Sequence, residues 1–230
     1  MKIKKRVLAI LCTLCFVFFF TSCGLDKTEK MTPQESGDMF YNIAAHQDDA
    51  KLKELLGDKA SEVDEAIKNR NVETKESISS IFGEIELSNE EANNFVDSVL
   101  KAMGKLECKK VTVLNEDDDK VELEFEVTYV DYNKISEEIT SELKTELQTK
   151  IANVGASNID YNKLQNEAIK MTFLKFTEKL NSYVPSEDTR TFKYIFVKKT
   201  YNIDSKNKEI YVPEDEKGFA EQVAKVSLSA

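Results

Sequence analysis

The sequence predicts an α+β fold: a curved four-stranded antiparallel sheet made of two β-hairpins, wrapped by N-terminal helices and a long inserted helical hairpin. Two observations predict it. Apolar residues recur every three or four positions in several long segments, which is typical of amphipathic helices. In two other regions they alternate with polar residues, which is typical of half-buried strands. Strands come in pairs rather than alternating singly with helices, so a parallel sheet is not expected.

Helices are predicted where the apolar spacing is helical. Capping boxes begin two of them, at Thr32 with Glu35 and at Ser88 with Glu91. Residues 155–158 separate the two longest helices, which we expect to pair as a helical hairpin. The predicted segments are a first helix from residue 32 through Met39, Phe40, Ile43 and Ala44, a short helix ending at Gly57, residues 59–82, residues 88–106, residues 133–153, a helix from Asp160 to about Val184, and a short last helix with Phe219, Val223 and Val226.

Two β-hairpins are predicted where the period is two. Residues 121–129 alternate apolar side chains with polar ones, mostly glutamates, so one face of this strand is expected to meet water. In the first predicted hairpin, a turn at Asn115–Asp119 joins a strand with Val111 and Val113 to residues 121–129. In the second, a turn at Asp204–Asn207 joins Thr191–Tyr201 to Glu209–Val212.

The first 20 residues have the pattern of a signal peptide. Residues 2–6 carry four positive charges, and residues 7–20 form an apolar run of 14 residues. As a helix this run is about 21 Å long, whereas the apolar core of a bilayer is about 30 Å thick. A short N-terminal anchor or a buried core helix is the alternative, but the basic start and the small residues that follow favour a signal peptide.

The segment Phe20-Thr21-Ser22-Cys23 resembles the lipobox of bacterial lipoproteins. The resemblance implies that residues 1–22 are removed and that a diacylglycerol is attached to the Cys23 thiol. Two acyl chains give stable membrane attachment where one gives marginal binding. We therefore predict a signal peptide at 1–22, a lipidated N-terminus and tether at 23–31, and a single α+β extracytoplasmic domain at 32–230.

Charge and cysteine content limit what the processed chain can bind. Removing residues 1–22 takes away four of the 32 basic residues and none of the 42 acidic ones, so the net charge changes from −10 to −14. This balance argues against nucleic-acid binding, which depends on basic residues that neutralise phosphates. Cys12 and Cys15 leave with the signal peptide, so Cys108 is the single thiol of the domain, and we expect a small buried residue there.

Three segments of the domain resemble a family of bacterial lipoproteins with an uncharacterised C-terminal domain. They are Thr32 to Phe40, Leu87-Ser88-Asn89-Glu90-Glu91 and Val127-Thr128-Tyr129-Val130-Asp131, followed by a charged helical insert and a closing strand pair. The resemblance covers most of residues 32–226. Such domains are similar to the nuclear-transport-factor-like fold, a curved sheet wrapped by helices around a cone-shaped cavity. The family has no assigned activity, and a fold alone does not supply one.

No pattern of residues predicts catalysis, a cofactor or a metal site. His46, the single histidine, is placed near the end of the first helix, where the helix dipole favours a cation. Asp131 could face the mouth of a cone, but the better interpretation is that Asp131 or Asn133 caps the helix that begins near Ile135.

An acidic segment between the first two strands invites a calcium interpretation. Asn115, Asp117, Asp119 and Glu126 match four ligand positions of an EF-hand loop, but Lys120 stands where that loop needs glycine. The residues that follow alternate as a strand instead of entering a helix. We therefore interpret the segment as a solvated hairpin turn.

The sequence thus predicts a lipid-anchored binding or interaction module on the extracytoplasmic face of the cell membrane, without identifiable catalysis. The expected partners are the membrane, through the diacylglycerol on Cys23, and an envelope protein or a small apolar ligand. The alternative is a small-substrate enzyme of the cone-shaped type, with a cavity lined by Tyr129, Asp131 and Tyr194. A substrate-binding component of a transporter is not favoured, because it needs two lobes with parallel strands.

Overall fold

The computed structural model describes residues 29–46, 48–57, 88–154, 160–203 and 206–228. The predicted signal peptide, the lipobox and the predicted helical segment 59–82 lie outside these residues. The described helices are α1 (Pro33–His46), α2 (Ala50–Leu56), α3 (Asn89–Met103), α4 (Tyr132–Val154), α5 (Tyr161–Asn181) and α6 (Glu216–Leu228), and the strands are β1 (Glu29–Lys30), β2 (Cys108–Glu116), β3 (Lys120–Thr128), β4 (Thr189–Ile203) and β5 (Lys206–Pro213).

The sheet confirms the predicted α+β class. Its strand order is β1-β5-β4-β3-β2, and the β2–β3, β3–β4 and β4–β5 pairs are antiparallel. These four strands are the two predicted hairpins. The fifth strand, β1, was not predicted: it pairs parallel with β5, with Glu29 opposite Lys208 and Lys30 opposite Glu209. A strand of two residues is too short to show a period of two, so the pattern could not indicate it.

The strand bounds differ from the prediction where polar residues obscure the alternation. Strand β5 begins at Lys206, paired with Ile203, so the predicted turn at Asp204–Asn207 is wrong in its second half. Strand β2 begins at Cys108, three residues earlier than Val111, and a register shift interrupts it between Cys108 and Lys110. Such a shift moves side chains to the other face and removes the period that the prediction depends on.

One core lies between the sheet and helices α1 and α6. Its centre is an aromatic cluster on β3, β4 and α6, in which the rings of Phe125 and Phe192 stack at 4.8 Å. Phe219 from α6 lies 5.4 Å from both Phe125 and Phe196, measured between ring centroids. These four side chains are at most 5 % exposed, so this part of the sheet is covered by packed rings.

A second core joins α3, α4 and α5. The rings of Phe95 on α3 and Phe173 on α5 meet edge to face at 5.5 Å, and Tyr132 on α4 stacks on Phe176 at 4.8 Å. Lys175 of α5 also forms ion pairs with two glutamates of α4, at 2.9 and 2.7 Å. Helices α4 and α5 therefore form the predicted helical hairpin, and α3 packs on its base.

Helix α1 approaches the sheet closely at a glycine. A methyl group added at Gly37 would lie 2.9 Å from Leu123 Cδ1, 3.1 Å from Val111 Cγ1 and 3.2 Å from the Phe125 ring. These distances are shorter than ordinary van der Waals contacts. Glycine therefore sets the spacing between α1 and the sheet at the centre of the first core.

We expect Gly37→Ala to destabilise the fold by about 1–3 kcal/mol, the usual cost of overfilling a packed core. Chemical denaturation followed by circular dichroism measures this change. Gly104→Ala is the matched control, because Gly104 ends α3 with a helical φ of −63° and an added methyl would lie 3.4 Å from Leu100 O and 3.7 Å from Lys101 O, which are ordinary contact distances. Equal stabilities of the two variants would contradict this account of Gly37.

Candidate functional site at the edge of the sheet that receives the tether

The predicted tether enters the folded domain along the outer edge of β5. Besides the β1 pairing, the Met31 backbone N–H donates to the Glu209 carbonyl at 2.9 Å, and Lys30 Nζ lies 3.3 Å from Glu209 Oε1. The last three residues of the segment predicted as tether are therefore held by the sheet. Because β1 runs parallel to β5, the chain arrives from the Lys206 end of that strand.

The first turn of α1 closes the same edge. Ser36 Oγ accepts a hydrogen bond from the Tyr211 backbone N–H at 3.2 Å, and both residues are buried. The predicted capping box is present just before it: Glu35 Oε2 accepts from Thr32 N at 2.9 Å, and Thr32 Oγ1 accepts from Glu35 N at 3.2 Å. The Thr32 hydrogen bonds lower the pKa of Glu35. Strands β1 and β5 and helix α1 thus form one hydrogen-bonded unit.

We expect Ser36→Ala to lower the free energy of unfolding by about 1–3 kcal/mol, because it leaves the buried Tyr211 N–H without its acceptor. Ser141→Ala is the control, since Ser141 is exposed on α4 and surface substitutions usually change stability by no more than about 0.5 kcal/mol. Denaturant melts of both variants test this. An unchanged Ser36→Ala midpoint would mean that this hydrogen bond does not hold the edge.

Asp131 caps a helix, which confirms the better of its two interpretations. Its Oδ1 accepts from the Lys134 backbone N–H at 3.0 Å, at the start of α4. The hydroxyl of Tyr183 accepts from the Asp131 N–H at 3.2 Å and donates to the Tyr129 carbonyl at 2.6 Å. Burial is the main cause that raises the pKa of Tyr183, so this bridge keeps its proton at neutral pH. Arg190 lies over the Tyr129 ring, 3.8 Å from its centroid.

The residues proposed to line a cone do not meet. Tyr194 donates to the Asp215 carbonyl at 2.8 Å and packs on Phe219, and burial raises its pKa to about 12. Tyr194 pairs with Leu123 on β3, whereas Thr128, beside Tyr129, pairs with Thr189. Five residues along a strand correspond to about 16 Å. Tyr129 and Asp131 therefore lie at one end of the sheet and Tyr194 near its middle.

His46 joins two parts of the fold. It is the last residue of α1, as predicted, and its Nε2–H donates to the Leu106 carbonyl after α3. Its ring also meets that of the buried Tyr41 edge to face, at 5.9 Å. The hydrogen bond links the end of α1 to the segment that follows α3, and the ring contact packs the histidine on its own helix. Both contacts are structural.

The acidic segment between β2 and β3 is a hairpin turn, and it does not bring together the four residues that match EF-hand ligand positions. Asn115 Nδ2 donates to Glu122 Oε2 at 3.0 Å, and Glu126 lies six residues along β3 from Lys120, where it accepts from Thr189 Oγ1 at 2.9 Å. Lys198 Nζ donates to the Asp118 carbonyl at 2.6 Å. Within the described ranges, no group of three or more His, Cys, Asp or Glu side chains could hold a metal ion.

Cys108 is a free thiol at the start of the edge strand β2. It is half-buried rather than fully buried as predicted, because no described strand covers the outer side of β2. Burial, with a smaller contribution from Asp38, raises its pKa to about 12. At neutral pH the sulfur therefore stays protonated and is a weak nucleophile.

A groove runs between α3 and α5, and the patterns did not predict it. Leu174 on α5 lies in the groove with 42 % of its surface exposed, and Asn94, Thr177 and Asn181 line it beside this leucine. The ion pair between Lys170 and Glu91, at 2.9 Å, spans the same two helices. From helical spacing alone, a large apolar side chain such as Leu174 is expected to be buried in the core. The structure shows that α3 packs on α5 without covering Leu174.

No family profile and no curated protein matches this chain. Among solved structures, the crystal structure of a "putative lipoprotein" (ycdA) from Bacillus subtilis is similar, with a TM-score of 0.53 and 14 % sequence identity. The match covers 86 % of this chain and 57 % of that one, so this chain spans little more than half the length of its neighbour. At this identity the likeness shows the fold alone. In the part of the chain that the structure describes, no helix is long and apolar enough to cross a membrane.

Proposed function

We propose that this protein is a lipid-anchored interaction module on the extracytoplasmic face of the cell membrane, attached through a diacylglycerol on Cys23. The lipobox pattern at Phe20–Cys23 and the fold shared with a protein described as a putative lipoprotein support this proposal. The charge of the processed chain supports it as well, because an acidic domain is repelled by anionic lipid and needs another means of attachment.

The observation that carries the proposal is the short distance between anchor and fold. Strand β1 begins at Glu29, six residues after Cys23. Six extended residues span at most about 20 Å. A lipid on Cys23 would therefore keep this edge of the sheet within about 20 Å of the point of attachment, and the domain close to the membrane surface.

The proposal that the module is not an enzyme rests on the partners of the candidate residues. Asp131 caps α4, His46 binds the Leu106 carbonyl, and Tyr194 is held by Asp215. Each of these three candidate residues thus has a partner within the fold. They also lie in separate places, whereas general acid–base catalysis needs groups within hydrogen-bond reach of one substrate.

The groove between α3 and α5 is the surface we propose for an envelope partner, since an exposed leucine in a concave, partly polar setting is typical of binding surfaces. Leu174 is 42 % exposed, although its neighbours Phe173 and Phe176 on α5 are buried. The same groove would accept a small apolar ligand.

We expect metabolic labelling with a clickable fatty acid to mark the wild-type protein and to fail on Cys23→Ala, because the thiol is the acceptor of the lipid. Cys108→Ala is the matched control and should keep the label. After cell fractionation, the wild type and Cys108→Ala should be found with the membrane. A Cys23→Ala variant that still carries the label would contradict the anchor.

A photoreactive amino acid at Leu174 should form a discrete adduct with an envelope component in cells, whereas one at Val184 should not. Val184 is more exposed, at 79 % against 42 %, so non-specific encounters would favour Val184. The adduct should also weaken in Cys23→Ala, because anchoring concentrates the groove at the membrane. Turnover of an envelope substrate that is lost in Asp131→Asn or His46→Gln would instead favour an enzyme.

A further inference from the structure

The groove between α3 and α5 offers more hydrogen-bond acceptors than donors. The Thr177 hydroxyl donates to the Phe173 carbonyl at 2.9 Å, and the Ser182 hydroxyl donates to the Glu178 carbonyl at 3.1 Å. A hydroxyl has one proton, so each of these two can act toward a ligand only as an acceptor. The ionised carboxylates of Glu91 and Glu178, which also line the groove, accept but cannot donate.

Two side-chain amides supply the donors of the groove. Asn94 on α3 and Asn181 on α5 line it from opposite sides, and both are exposed. Their backbone carbonyls accept from Ser98 and Lys105, but among the described residues no hydrogen bond engages either side-chain amide. A carboxamide carries donors and an acceptor together, so it can pair with both groups of a peptide bond.

Glu178 carries the uncompensated charge of the groove. The other carboxylate, Glu91, pairs with Lys170 at 2.9 Å. Lys175 and Lys179, the lysines nearest to Glu178 along α5, form ion pairs with glutamates of α4 at 2.7 to 3.0 Å. Within the described part of the chain, Glu178 has no ion pair. The groove therefore favours a cation over an anion.

Two lysines on the side of α3 do not neutralise this carboxylate. Lys105 Nζ is held at the end of α5 by the carbonyls of Asn181 and Tyr183, at 3.3 and 2.6 Å. Lys101 is exposed and does not line the groove. A basic group that belongs to a ligand can therefore reach Glu178 without displacing a lysine of the protein.

Leu174, Glu178 and Asn181 form a stripe along α5. Their spacing of four and three residues places them on one helix face, with about 5–6 Å between the Cβ atoms of neighbours. The stripe spans seven residues, which is about 10 Å of helix. Alternate side chains of an extended segment lie on one face, about 7 Å apart. Two such side chains can therefore meet Leu174 and Glu178 at the same time.

We propose that the groove between α3 and α5 binds an extended protein segment that carries an apolar side chain and, two positions away, a lysine or arginine. The apolar side chain packs on Leu174, which is 42 % exposed, and the cation pairs with Glu178. The amides of Asn94 and Asn181 bond the backbone of the segment. The inference rests on the proposed function, because it names the chemistry of the partner in the same groove.

Selection from a library of random heptapeptides displayed on phage tests this chemistry. The target is the full-length protein, immobilised in detergent, and the counter-target is Leu174→Ser. We expect the enriched heptapeptides to contain an apolar residue and a lysine or arginine two positions away. Equal recovery on Leu174→Ser would overturn the proposal. Enrichment of apolar peptides without a basic residue would overturn it too, because such peptides do not use Glu178.

Exchange of charges identifies the acidic partner. The probes are a fluorescein-labelled enriched heptapeptide and the same peptide with glutamate in place of its basic residue. Fluorescence anisotropy should show that the wild type binds the basic peptide about fivefold more tightly, and that Glu178→Lys reverses this preference. Glu178→Gln, which keeps the size of the side chain, should reduce the preference without reversing it.

Glu137→Lys is the matched control for the charge exchange. Glu137 is exposed on α4, and its substitution changes the net charge by the same amount. This variant should keep the preference of the wild type for the basic peptide. If Glu137→Lys reversed the preference as Glu178→Lys does, net charge alone would explain the effect and the groove would not be the binding site.

The outcomes separate this inference from the proposed function. If a photoreactive amino acid at Leu174 forms its adduct in cells but the selection shows no basic residue, the interaction module stands and the chemistry inferred for its partner is wrong. If the peptides bind as expected but Cys23→Ala keeps the lipid label, the groove stands and the anchor is wrong. Absence of both the adduct and the peptide selection would overturn the groove in both proposals.

Discussion

The close contact between α1 and the sheet is the constraint on which the rest of this structure depends. At Gly37 the helix lies so near the sheet that a single methyl group would meet Leu123 and Phe125. One residue earlier, Ser36 satisfies the backbone N–H of Tyr211 on β5. The same helical turn therefore covers the first core and binds the strand with which β1 pairs. Movement of α1 would disturb the packing of the core and this edge of the sheet together.

Helix α6 connects this first core to the second. Phe219 and Val223 belong to the first core, whereas Ala224 belongs to the second core, with buried residues of α3, α4 and α5. The Ser227 carbonyl also accepts from the Val130 N–H at 2.7 Å, where β3 leads into α4. The two cores therefore share one helix, and the helical hairpin is fixed to the sheet on the side opposite the tether strand.

The arrangement separates the attachment of the domain from its open surfaces. The segment before α1 pairs with β5 at one edge of the sheet, and the groove with Leu174 lies between α3 and α5, which belong to the second core.

The sequence alone determined the elements whose signals are local. Helix α3 follows from the capping box of Ser88 and Glu91 and its apolar spacing, and β3 follows from strict alternation of apolar side chains with polar ones. The role of Asp131 as a cap was likewise readable, because capping depends on the next three residues. The lipobox is a local signal too, and it remains a prediction because Cys23 lies outside the described residues.

Only the tertiary structure decided which segments meet. The two residues of β1 carry no periodic pattern, and their pairing with Lys208 and Glu209 joins parts of the chain some 180 positions apart. The separation of Tyr194 from Asp131 depends on strand register, and the exposure of Leu174 depends on how α3 packs. These contacts arise because the chain buries its apolar faces collectively, so no window of sequence contains them. The sequence thus determined the local elements and the predicted lipobox, and the packing decided where the segment before α1 joins the sheet and which surfaces stay open.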